Sequence, residues 1–351
     1  MKKAAPCTYV VTGGSSGVGY HLIQKVVKWH ADRGSSATVF MLCRSQKKAV
    51  AAIQLILAHC FPSSLLLNPS DSSFAVHPSK WIIFVPCDLT NPQSVNHAVL
   101  EIKSKVSFVN YLVLNAGVIP LDGLDLSVGN LEDLVLRPSW VFTTGGKFMK
   151  QSVGHVTSPG VGYTFSANVL GHLLLVRLTM ELLCAASTKG CIMWTSSTSG
   201  ETDRFSLEDI QGLKTRYSYE SSKRLVDLIC LAHMRHEYTI PMYSTSPGCV
   251  PSNILNGYLP VWIHWCLLFF IRVAFGISQV NLGDNCVAAM MYLIKASSEA
   301  ENQVPREIKF CSESTRLGSS LVTLEELKES TVGEADRAYE YCEKLLDVMK
   351  V

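Results

Sequence analysis

The stretch Thr12-Gly13-Gly14-Ser15-Ser16-Gly17-Val18-Gly19 constrains the fold more than any other part of this chain. It lies between a short apolar run, Tyr9-Val10-Val11, and a pattern with apolar residues at Leu22, Ile23, Val26 and Val27. That arrangement reads as a buried strand feeding a helix. Gly13 permits the tight turn between them. Gly17 and Gly19 let backbone approach a ligand and let the helix pack on the strand. The unpaired N–H groups that open such a helix attract phosphate. The loop therefore predicts a dinucleotide cradle, with Ser15 and Val18 against the same ligand.

A second motif, Tyr219-Glu220-Ser221-Ser222-Lys223, places a phenol and an ammonium four residues apart on one face of a helix. A phenol has a reference pKa of about 10 and is a poor proton exchanger at neutral pH. A nearby cation favours the phenolate, so the pair predicts proton transfer to or from an oxygen, with Lys223 and the positive nicotinamide of a bound cofactor together drawing the phenol's pKa down. A dinucleotide cradle beside a tuned tyrosine points to hydride chemistry on a carbonyl or an alcohol.

Between these motifs lie further strands. Thr38-Val39-Phe40-Met41-Leu42-Cys43 ends at Arg44, where a basic residue suits the 2′-phosphate of NADP rather than the bare ribose of NAD. Trp81-Ile82-Ile83-Phe84-Val85 is followed by Cys87-Asp88-Leu89, and Leu112-Val113-Leu114 by Asn115-Ala116-Gly117. Cys191-Ile192-Met193-Trp194-Thr195 ends in the hydroxyl pair Ser196-Ser197, and Tyr243-Ser244-Thr245 runs into Ser246-Pro247-Gly248-Cys249-Val250-Pro251-Ser252. Together the motifs resemble those of the short-chain dehydrogenase/reductase family, whose fold is a doubly wound parallel α/β sheet of Rossmann type. The triplet at Asn115 departs from the family's Asn-Asn-Ala-Gly by having Leu114 in the first position.

The resemblance implies roles. Tyr219 would exchange the proton, with Lys223 holding the nicotinamide ribose and Asn168 holding a water linked to that lysine. Ser197 would orient the carbonyl. Counting back thirteen residues from the tyrosine, as in many family members, selects Ser206 instead. Ser206, however, opens Ser206-Leu207-Glu208-Asp209 in the manner of a helix N-cap. Asp88 would line the adenine pocket, with Asn115 and Gly117 beside the cofactor ribose. Ser252, with backbone at Val250, would bind the nicotinamide amide. His172 is read as a packing residue.

A chain of 351 residues fits about two domains by length, yet the motifs run through most of it in the order of one sheet. The reading is one reductase domain over 1–318, with insertions at 59–79 and 119–162, and a charged C-terminal helix over 319–351. The net charge of +2 gives no argument for nucleic acid. Twelve cysteines without a C-x-x-C pair read as reduced thiols rather than a metal site. With the first strand so close to the start of the sequence, no cleaved signal peptide is expected.

One segment is unusual for a soluble reductase. Residues 258–271 are almost wholly apolar, with Trp262 and Trp265 among them and no charge before Arg272. At about 14 residues the segment is too short to span a bilayer, and it is expected to be a hydrophobic lid, an interfacial helix, or a buried helix.

The segments around Asn168, Trp194 to Ser197, Ser206 to Ile210 and Tyr219 to Arg224 are more narrowly similar to the fungal 3-keto-steroid reductases. That resemblance runs from Thr8 to about Gly318. It implies NADPH, a 3-keto sterol reduced during C4 demethylation, and residence at the endoplasmic reticulum membrane or lipid droplets beside other sterol-biosynthesis enzymes. Two alternatives are kept: a reductase of another lipid ketone, such as a 17-ketosteroid or a retinoid, and an NADP-binding scaffold for membrane partners.

Overall fold

The computed structural model describes residues 7–66, 76–125, 148–157, 160–186, 190–200, 202–236, 239–251, 260–298 and 304–349, with 127, 132–133, 136–137 and 141. Strands and helices alternate through the first third of the chain. β1 (Cys7–Thr12) leads to α1 (Gly17–Ala31) and β2 (Ala37–Cys43) to α2 (Gln46–Cys60), while β3 (Ile82–Pro86) leads to α3 (Pro92–Lys103). The helix starts are written locally: the Ser45 side chain accepts from the Lys48 N–H, and Asn91 accepts from Ser94 with Pro92 in the first turn.

β4 (Tyr111–Leu114) is followed by a two-stranded antiparallel hairpin, β5 (Leu121–Leu124) and β6 (Met149–Gln151). A continuous helical run then starts with a turn at Tyr163–Phe165, passes through a π-helical segment at Ser166–Leu170 and becomes α4 (Gly171–Cys184). β7 (Cys191–Thr195), α5 (Ser218–Arg235), β8 (Met242–Ser246) and α6 (Val261–Phe275) come next. The chain closes with α7 (Ala288–Ser298), β9 (Ile308–Ser314), β10 (Ser320–Glu326) and α8 (Glu334–Val348).

The sheet order is β3-β2-β1-β4-β7-β8-β9-β10, parallel as far as β9, with β10 antiparallel at the edge. Alternate residues of each strand face opposite layers. Val10, Phe40, Leu112 and Ile192 join one core with Val99, Leu174 and Leu228 of α3, α4 and α5. Tyr9, Val11, Val39, Val113 and Met193 join the other with Ile23, Ile56 and Met290 of α1, α2 and α7. Burial on both faces is why the parallel strands read as unbroken apolar runs. The strand order reverses between β1 and β4, the switch point at whose carboxyl ends open α/β sheets form their crevice.

The doubly wound sheet matches the sequence expectation; the tail does not. Residues 320–326 form the edge strand β10, where a helix was expected, and the helix begins only at Glu334. β10 pairs with β9 from Ser320 to Glu326 while most of its side chains stay exposed. Such a strand has no buried face to write a period-two pattern, and its charges read as a solvated helix. Nor is α8 only a solvated helix. Ala335, Ala338, Cys342 and Leu346 form a buried stripe, α8 packs on α5, and Arg224 pairs with Glu334 at 3.3 Å.

Residues 67–75 of the first expected insertion lie outside the described residues, as does most of 126–147 in the second. The described remainder of the second insertion includes the β5–β6 hairpin. Residues 252–259, with the start of the apolar segment, are also outside. The run 163–184 is long and apolar enough to cross a membrane, but 72% of its apolar window is buried, as in a core helix.

Candidate active site

The glycine turn closes on itself. Gly13 has a φ of +69° and a Cβ there would sit 2.9 Å from the Cα of Ala116. At Gly19 a Cβ would strike the Gly13 carbonyl oxygen at 2.6 Å. Side chains at either position would push the turn off the β4 loop, so only glycine allows β1, α1 and the Asn115 segment to meet. The joint is hydrogen-bonded as well. Asn115 donates its side-chain amide to the Thr12 carbonyl at 3.0 Å, and the Asn115 and Ala116 N–H groups donate to Thr12 Oγ1 at 2.8 and 3.0 Å. Gly17, at φ +56°, opens α1, leaving the helix N-terminus facing the crevice.

The other cofactor-side expectations fall around the same edge. Arg44 follows β2 and is exposed. Ser15 is close enough for a side-chain hydrogen bond with Cys43 at the end of β2. Asp88 follows β3, its carboxylate accepting from the Thr90 N–H at 3.0 Å and from Thr90 Oγ1 at 2.8 Å. Gly117 faces the inner cluster: a Cβ there would lie 3.6 Å from both Asn168 Oδ1 and Lys223 Nζ. Val250 follows the Pro-Gly turn beyond β8, whereas Ser252 lies outside the described residues.

The inner cluster is built from the end of β7, the π-helical segment before α4, and α5. Tyr219 and Lys223 occupy successive turns of α5, with the ammonium 5.5 Å from the phenol ring centroid. Ser197, just past β7, is close enough to the Tyr219 phenol for a side-chain hydrogen bond, and its Oγ also bonds Ser199 Oγ at 3.2 Å. Ser206 is elsewhere, capping a short turn by accepting from the Glu208 N–H at 3.1 Å. Of the two serines, the one at the strand end is the one placed beside the tyrosine.

Burial pushes Tyr219 up to about 12, with the Ser197 hydrogen bond opposing and the Glu220 and Cys249 side chains adding to the rise. The Lys223 ammonium donates to the Thr195 carbonyl oxygen, 2.8 Å away. Burial lowers Lys223 itself to about 8, against the pull of Asp227. Without a cofactor the site holds its proton on the phenol.

Asn168 is fully engaged. Its side chain accepts from the Val118 N–H at 2.8 Å and donates to the Val118 carbonyl and to Ser222 Oγ. It thereby ties the loop after β4 to α5.

Sequence reading missed two linking residues. His172, read as packing, is buried between the Asn168 carbonyl, 3.1 Å from Nδ1, and Thr12 Oγ1, 2.9 Å from Nε2. The carbonyl only accepts, so Nδ1 carries the proton and Nε2 accepts from the threonine. Burial drops the ring's pKa to about 3, keeping it neutral. Gln151 of β6 contacts the first turn of α5. An isolated histidine or glutamine in sequence carries no signal of such a role.

No protein-family model matches the chain. Over 350 residues it is 29% identical to 3-keto-steroid reductase/17-beta-hydroxysteroid dehydrogenase 7 of Rattus norvegicus, covering 97% of this chain and 95% of that protein. The 3-keto-steroid reductase erg27 of Schizosaccharomyces pombe is 28% identical over 348 residues, covering 97% and 96%. Among solved structures, an NADPH-bound carbonyl reductase from chicken fatty liver superposes with a TM-score of 0.51 at 18% identity, covering 91% of this chain and 99% of that one. The fold is that of the short-chain dehydrogenases/reductases. Over nearly its whole length the chain is similar to proteins named 3-keto-steroid reductase.

Proposed function

We propose that the protein is an NADPH-dependent reductase that converts a sterol 3-ketone to its 3β-alcohol during C4 demethylation in sterol synthesis. The observation that carries the reading is the meeting of Ser197, Tyr219 and Lys223 at the carboxyl edge of the sheet. The glycine turn fits a dinucleotide, because glycines at which a Cβ would collide let it fold tightly against the Asn115 segment and lead straight into the N-terminus of α1. Gly13, Ser15, Gly17, Val18 and Gly19 would hold the pyrophosphate end. Arg44 would take the 2′-phosphate, Asp88 the adenine, and Asn115, Gly117, Val250 and Ser252 the ribose and amide.

Bound NADPH supplies the hydride for the carbonyl carbon. The chain does the rest. Ser197 donates a hydrogen bond that orients the ketone, and Tyr219 hands its phenolic proton to the ketone oxygen, leaving a phenolate. A phenol held at about 12 is protonated throughout the physiological range, as a donor must be. Lys223 stabilises the phenolate as it forms, which is where its charge has most effect on the rate.

α6 supports a membrane-facing lid. His264, Leu268, Ile271 and Arg272 form its buried stripe. Trp262 is 70% exposed and Phe270 64%, and Trp265 and Phe269 stack outside the body. An aromatic, nearly uncharged face on a helix of about 22 Å suits the interfacial layer of a bilayer, and is too short to cross it. The reading places the enzyme on the cytosolic face of the endoplasmic reticulum or on lipid droplets, drawing a sterol from the membrane.

The deciding experiment offers the detergent-solubilised protein NADPH with a 4-methyl-3-keto sterol, a 17-ketosteroid and retinal in parallel. Preferred turnover of the sterol to the 3β-alcohol supports the assignment. Preference for another ketone keeps the reductase and replaces its substrate.

A further inference from the structure

The first turn of α5 cannot cap itself. Its N-cap is Tyr217, which makes no side-chain cap hydrogen bond. The N–H groups that begin a helix lack intrahelical acceptors and need them from elsewhere. Here the acceptor comes from a distant segment. Gln151, buried at the end of β6, accepts through Oε1 from the Tyr219 N–H at 2.9 Å and from Ser218 Oγ at 3.2 Å. The other end of the same amide donates through Nε2 to Glu220 Oε2 at 2.7 Å. The two sets of partners fix the amide's orientation, since an oxygen must face the N–H and a nitrogen the carboxylate. Glu220 and Ser218 are buried too, so these bonds are shielded from competing water.

The hairpin that carries Gln151 springs from the loop after β4 that lines the ligand crevice. Ser152 donates its N–H to the Pro120 carbonyl at 2.8 Å, closing the base of the hairpin. Val118, two residues before Pro120, is the residue held by Asn168. One short segment therefore joins the loop after β4, the π-helical segment that carries Asn168 and the turn bearing Tyr219.

We infer that Gln151 is a positioning residue for the reaction: the hairpin caps α5 through it and thereby sets where the Tyr219 hydroxyl stands. The inference rests on the reading of Tyr219 as proton donor. Gln151 touches no reacting atom; it acts through the Tyr219 main chain and through Glu220, whose charge bears on the phenol.

The test compares the full-length enzyme with Gln151→Leu, Gln151→Glu, the exchange Gln151→Glu/Glu220→Gln, and Tyr219→Phe, all assayed with NADPH and the 3-keto sterol. Gln151→Leu is expected to lose about 10- to 100-fold in kcat, the scale of a small misplacement of a reacting group. The Kd for NADPH, whose cradle lies on α1, should stay within about twofold. Gln151→Glu sets two carboxylates face to face and loses activity as well. The exchange transposes donor and acceptor while keeping one charge. It should recover kcat to within about threefold of wild type, the sign of a coupled pair. A folded Gln151→Leu with wild-type kcat, or an exchange no better than Gln151→Glu, overturns the inference. Full turnover in Tyr219→Phe overturns the proton-donor reading, and the inference with it. Loss in Tyr219→Phe beside a fully active Gln151→Leu overturns the inference alone.

Discussion

Lys223 donates its ammonium to the main-chain carbonyl oxygen of Thr195 at 2.8 Å, joining the helix that carries the tyrosine to the strand that carries the serine. The bond fixes the spacing of the cluster and holds the charge within reach of the phenol ring. It also has a pH signature.

Burial lowers Lys223 to about 8, so the free enzyme carries the charge below that pH and loses it above. Tyr219, at about 12, stays protonated well past that point. The pH profile of kcat/KM for reduction, which reports groups of the free enzyme, should be flat from about pH 6 to 7.5. It should then fall toward about tenfold per unit above pH 8. Lys223→Arg, whose guanidinium does not titrate, should lose that limb while lowering the plateau. A limb unchanged in Lys223→Arg assigns it to another group.

Ser197 and Ser206 separate cleanly. Ser197→Ala removes the hydroxyl beside the phenol and should cost about 10²-fold in kcat, the scale of losing a donor to a developing oxyanion. Ser206→Ala removes only a cap and should cost about 1 kcal/mol of stability, read as a lowered midpoint in urea, with kcat unmoved.

Arg44 is exposed at the end of β2, free to reach a 2′-phosphate. Arg44→Asp should weaken kcat/KM for NADPH by about 10- to 100-fold, the value of a charge-assisted hydrogen bond, and should improve NADH. Steady-state kinetics with both cofactors would show it; an unaltered NADPH preference would place the phosphate site elsewhere.

The exposed face of α6 predicts binding to lipid vesicles. In flotation with phosphatidylcholine vesicles, Trp262→Ser/Phe270→Ser should shift the protein toward the unbound fraction. Each aromatic contributes about 2 kcal/mol when fully withdrawn from water. Equal flotation of the variant and wild type would leave α6 as a lid without a membrane role.

The sequence wrote the parallel core plainly, because β1, β2, β4 and β7 are buried on both faces and their runs are apolar without a break. It also wrote the turn at Gly13 and the pair Tyr219 and Lys223, whose chemistry is carried by residue type and local spacing. β10 was illegible for the opposite reason: an exposed edge strand takes its conformation from the β9 ladder and leaves no pattern. Gln151 and His172 were illegible because their roles exist only after folding, when β6 meets α5 and when α4 meets the glycine turn. The burial that raises the Tyr219 pKa in the free protein was also illegible, because desolvation is a tertiary property and spacing along a helix shows only that a lysine is near.

The most direct test of the central claim is Tyr219→Phe measured against wild type in NADPH oxidation with the 3-keto sterol, with NADPH binding followed separately by fluorescence. The account predicts a loss of about 10²- to 10⁴-fold in kcat, the contribution of a positioned general acid, with NADPH binding retained and the 3β-alcohol formed only by the wild type. Sterol reduction by Tyr219→Phe at the wild-type rate would contradict it.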